Sequence, residues 1–122
     1  MHLDPSLDPT QDPYDRWRAF ITRAFRLRGM YTETGSLLEM SALLVGFANG
    51  IGRPLVLPEF QEWMSARHPE RPELVFTALV VHEAFNTHAG PAVPKLTAEQ
   101  NEIAVDTLAE LFIAFLDSRT SG

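Results

Sequence analysis

A chain of 122 residues, 45% apolar and 21% charged, has the size and composition of one folded domain with its own core and excludes a disordered segment. The absence of cysteine excludes disulfides and thiolate metal sites. A formal net charge of −6 opposes attraction to a nucleic-acid backbone unless basic residues are segregated from the rest.

They are segregated. Residues 1–15 hold four acids and no base, whereas residues 16–28 hold Arg16, Arg18, Arg23, Arg26 and Arg28 and no acid. The first residues carry acids and prolines where a secretory signal would carry bases and an apolar run, so a cytoplasmic location is expected.

The opening contains Asp4-Pro5, Asp8-Pro9 and Asp12-Pro13 at four-residue intervals. Proline fixes its own φ and disfavours helix in the residue before it, so an extended arm is expected over residues 1–12, either solvated or docked on a partner. The domain proper is expected over 13–119. Asp12 as N-cap, Pro13 at the first helical position and Asp15 in the first turn start a helix. Tyr14, Trp17, Phe20, Ile21, Ala24, Leu27 and Tyr31 fall on one stripe, with Arg16, Arg23 and Arg26 opposite.

Residues 36–49, SLLEMSALLVGFAN, form a nearly uninterrupted apolar run with one charge, Glu39. A helix without a polar face has to be enclosed, and this one is too short for a bilayer, which takes about 20 apolar residues. It is therefore expected to be the central helix of the fold, with no membrane association. Glu39 stands three residues after Ser36, the spacing of a capping box, and Ala42 and Gly46 offer a small pair where another helix could approach. Asn49-Gly50 ends the segment.

Pro58 is placed to open a short helix ending at His68-Pro69. Pro72 is placed to open a fourth helix running to Gly90-Pro91, and Thr97 with Gln100 forms a second capping box ahead of a last helix reaching about Arg119. That last helix has Ala104, Val105, Leu108, Leu111, Phe112 and Phe115 on one side, and Glu99, Glu102, Asp106, Glu110 and Asp117 elsewhere on its surface. No segment sustains the alternation of a strand. The expected fold is an all-α bundle of four main helices and one short helix.

HEAFNTH, residues 82–88, departs from the HExxH zinc-protease pattern, which needs both imidazoles one turn apart. His82 and His88 would lie roughly 120° apart on a regular helix. A metal would need ligands from elsewhere, such as Glu39, His68 or Asp106; none is assigned, and no cofactor is expected. His82 falls on the apolar stripe of its helix and Asn86 borders it. Either His82 is a core histidine with a hydrogen-bond partner, or Glu39, His82 and Asn86 bind a small polar ligand. No nucleophile triad, phosphate-binding loop or dinucleotide motif is present, so no catalytic residue is assigned.

The expected function is that of a non-enzymatic protein-interaction module, a regulatory adaptor or inhibitor, binding a partner protein through Arg16, Arg23, Arg26, Glu99, Glu102, Asp106 and Glu110. The alternative is a ligand-binding or enzymatic bundle centred on Glu39 and His82. The aromatic content and the apolar central helix also suggest a homodimer, and the acidic balance argues against nucleic acid.

Overall fold

In the computed structural model, the Asp12 carboxylate accepts a hydrogen bond from the Tyr14 amide at 2.8 Å, and helix α1 (Pro13–Arg26) starts there. The structure describes residues 10, 12–50, 56–86 and 95–120, so the arm expected over residues 1–12 lies almost wholly outside the described residues. A break at Leu27 separates α1 from the single turn of α2 (Arg28–Tyr31). Helices α3 (Leu37–Gly50), α4 (Val56–Arg67), α5 (Phe76–Phe85) and α6 (Ala98–Thr120) follow, with no strand among the described residues. The fold is all-α, as the patterning required.

Both capping boxes form. Ser36 Oγ accepts from the Glu39 amide at 3.2 Å while Glu39 Oε1 accepts from the Ser36 amide at 3.4 Å. Thr97 and Gln100 make the same reciprocal pair at 3.1 and 2.9 Å. Each box satisfies amides that the first turn leaves without helical partners. The turn into α3 depends on Gly35, whose φ of +66° is strained for any residue with a Cβ.

The helix around which the others pack is α6, not the apolar α3. Helices α1, α3, α4 and α5 all pack against α6. Its stripe Ala104, Val105, Leu108, Leu111, Phe112, Phe115 and Leu116 is buried. With 23 residues it is long enough to reach every neighbour, whereas α3 buries only one side, Leu37, Met40, Ser41, Leu44 and Ala48. Leu38 and Val45 stay 64% and 48% exposed. The Ala42–Gly46 pair faces outward too, and a Cβ built on Gly46 would meet nothing within 4 Å. Full enclosure of α3, expected from its composition, is not provided by the described residues.

An aromatic cluster joins the layers: Trp17 stacks on Phe112 at 5.1 Å between ring centroids, and Phe112 meets Phe60 at 4.6 Å and Phe115 at 5.6 Å. The start of α5 departs from expectation, because Pro72 lies in a turn and the helix begins only at Phe76. Gln61 on α4 decides this. Its Nε2 donates to the Leu74 carbonyl at 3.1 Å and its Oε1 accepts from the Phe76 amide at 2.6 Å, so a tertiary contact supplies the cap. The end of α5 also comes early, at Asn86 in the left-handed conformation (φ 50°, ψ 46°), which asparagine tolerates well. His88 and Gly90-Pro91 lie outside the described residues.

Candidate functional site

His68, Glu70 and His82 come together where the α4–α5 connection folds back on α5. Proline after His68 disfavours helix at that residue, so α4 stops at Arg67. The chain then turns: the His68 amide donates to the Ser65 carbonyl at 3.0 Å, and the Arg71 amide donates to the His68 carbonyl at 3.0 Å. The Gln61 bonds hold the far end of the same connection. The His68 and His82 rings meet edge-on at 5.1 Å between centroids. One potential ligand atom from each of His68, Glu70 and His82 lies within 4.8 Å of the other two.

Glu83, next to His82 on α5, organises the surroundings. Its carboxylate takes two bonds from Arg67, Nη2 to Oε1 at 2.7 Å and Nε to Oε2 at 3.1 Å, and lies 2.9 Å from His68 Nε2. Partial burial works against its ionisation, but the bonds from Arg67 and His68 outweigh that, and its pKa falls below the ordinary carboxylate value. An ionised carboxylate only accepts hydrogen bonds, so His68 Nε2 must carry the proton. In a neutral ring this leaves a lone pair on Nδ1, which lies 3.5 Å from Glu70 Oε1. Arg67 also covers the face of Trp63 at 5.0 Å.

Glu39 is occupied at the start of α3. Its carboxylate accepts from the hydroxyl of Thr34, from the Thr34 amide at 2.8 Å and from the Glu33 amide at 3.2 Å, in addition to its Ser36 contacts. The Thr34 hydroxyl and amide, with the Ser36 and Glu33 amides, lower its pKa to about 2. The ring that meets His82 belongs to His68, and Asn86 is the exposed residue that ends α5.

The sequence-predicted partner-binding residues divide between α1 and α6, which pack side by side, with Arg28 at the start of α2 beside them. Arg18 pairs with Asp117, and Arg28 pairs with Asp106 at 3.2 Å. Between the two helices runs an open groove of about 560 Å³, with Ile21, Phe25, Ala109 and Ile113 along its floor and Arg26, Arg28, Asp106 and Glu110 on its banks. Arg16 is half-buried and Arg23 exposed on α1. Glu99 is exposed in the first turn of α6, and Glu102 borders a separate depression shared with Arg28, Ser36 and Asn101.

The sequence singles out His82, and His68 as a residue that could supply a further ligand, but carries little that points to Glu70 or Glu83. The only sequence signal for them is a histidine and an acid flanking Pro69, with a His-Glu pair beginning 14 residues after His68. No helical period links the two segments, because the α4–α5 turn brings them together. No family model, curated protein or solved structure matches the chain.

Proposed function

We propose that the protein is a protein-interaction module whose docking surface is the groove between α1 and α6. The observation that carries this reading is an apolar floor flanked by charge of both signs, with Arg26 and Glu110 forming no ion pair among the described residues. Such a groove suits an amphipathic helix of a partner protein, with apolar anchors at i, i+3 or i+4 and i+7 and flanking residues of both charges. The reading calls for no cofactor and no catalytic group. No helix among the described residues is long and apolar enough to cross a membrane.

The double reversal Arg26→Glu with Glu110→Lys tests it. A partner captured from the native host should be retained by the wild type, lost by the reversal variant and released as salt rises. Equal, salt-insensitive retention by both chains would overturn the proposal.

Self-association is the second reading, supported by the outward stripe of α3. Leu38, Ala42, Val45 and Gly46 follow helical spacing on its exposed side, and the small residues allow close approach of another helix.

A further inference from the structure

We propose that His68, Glu70 and His82 bind a first-row divalent metal ion, with Zn²⁺ the ion best suited to the donors. This site is separate from the α1–α6 groove and does not depend on the interaction reading.

Donor type selects the class of ion. Two imidazole nitrogens and one carboxylate match borderline ions such as zinc, whereas magnesium and calcium prefer sets made wholly of oxygen. Three protein ligands leave a fourth position for water or for a group brought by another molecule.

The spacing is close to what coordination needs. Zinc bonds of about 2.0–2.2 Å in a tetrahedron place neighbouring donors about 3.3–3.6 Å apart. His68 Nδ1 and Glu70 Oε1 are already 3.5 Å apart. One donor atom from each of the three residues lies within 4.8 Å of the other two, so closure requires a contraction of no more than about 1.5 Å between any pair. The Glu70 side chain is 62% exposed and free to follow the ion, while that of His68 is 14% exposed and held by its surroundings.

The outer contacts have the form of a metal site as well. A ligating histidine commonly donates its second ring N–H to a carboxylate, which fixes the tautomer and turns the other nitrogen toward the metal. Glu83 takes that role for His68 at 2.9 Å, and Arg67 holds Glu83 in place with two bonds. Because Arg67 and Glu83 neutralise one another, Glu70 supplies the negative charge that attracts the cation. The ion would then tie the α4–α5 turn to the last turns of α5.

Titration calorimetry of the full chain with Zn²⁺ tests the proposal, alongside Co²⁺ substitution read by visible absorption. One ion per chain is expected, with the d–d bands of a four- or five-coordinate N/O site and a raised thermal midpoint. His68→Ala and His82→Ala should each weaken binding by at least about 100-fold, and Glu83→Gln by about 10-fold or more. His2→Ala and His88→Ala should leave binding unchanged. Should either site histidine variant fail to fold by circular dichroism, Glu70→Ala carries the test, because its side chain lies largely in solvent and its loss should weaken Zn²⁺ at least about 10-fold. Absence of binding at millimolar Zn²⁺, unchanged affinity in folded His82→Ala or in Glu70→Ala, or loss of the ion on changing His88 would overturn it.

Discussion

Arg67, the last residue of α4, and Glu83 on α5 form a two-pronged ion pair, with N–O distances of 2.7 and 3.1 Å. Since Glu83 also receives His68 Nε2–H, one carboxylate fixes the end of one helix, the turn after it and the next helix. Its lowered pKa sets the direction of its pH dependence. Its stabilisation is fully present above the unfolded carboxylate value of about 4.3 and is lost as pH falls through the lower folded value. Glu83→Gln should therefore cost about 1–2 kcal/mol at pH 7, and the gap from wild type should close below about pH 4. Urea unfolding at both pH values measures this; a gap that widens in acid would refute it.

Glu39 gives a second titration test. With the Thr34 hydroxyl foremost among the groups holding it ionised, its carboxyl should titrate near about 2, and the first turn of α3 should loosen only as pH falls toward that value. Carboxyl chemical shifts followed by NMR report it. An ordinary titration above 4 would mean that the capping contacts do not persist in solution.

Gln61 determines where α5 begins. Replacing it with alanine removes the acceptor for the Phe76 amide and the donor to the Leu74 carbonyl, with an expected cost of about 1–3 kcal/mol. Amide exchange should accelerate first at residues 74–76, before the global unfolding limit is reached. Uniform acceleration along the chain would show that these bonds have no local role.

Two neighbouring rings should respond very differently to substitution. Phe112 is fully buried among Trp17, Phe60 and Phe115, so Phe112→Ala should cost about 3–5 kcal/mol, a large part of the 5–15 kcal/mol typical of a domain. Trp17 is equally buried, yet its Nε1 has no hydrogen-bond partner among the described residues. Trp17→Phe trades lost packing against removal of an unsatisfied donor and should change stability by only about 1 kcal/mol. Thermal melts of the two variants distinguish these outcomes.

The exposed stripe of α3 separates a monomer from a dimer. Leu38→Glu with Val45→Lys should shift monomer stability by no more than about 0.5 kcal/mol per site, because both side chains already face solvent. In the homodimer reading the same changes dissociate the wild-type dimer in sedimentation experiments. A wild type that is monomeric at high concentration would remove that reading.

The sequence by itself determined the helical class, the two capping boxes, the Asp12 start and the buried stripe of α6. These rest on contacts between residues a few positions apart, where spacing along the chain is equivalent to spacing in the molecule. Tertiary structure alone decided that α6 takes the central place and that, among the described residues, α3 keeps an open apolar side. It also decided that α5 waits for Gln61 and that His82 faces His68 while Glu39 caps its own helix. Each of these depends on elements brought together across a turn, and hydrophobic periodicity shows that a side is apolar without saying what covers it. For His68, Glu70 and His82 the geometry exists only because the turn after α4 folds back onto α5, which no local pattern encodes.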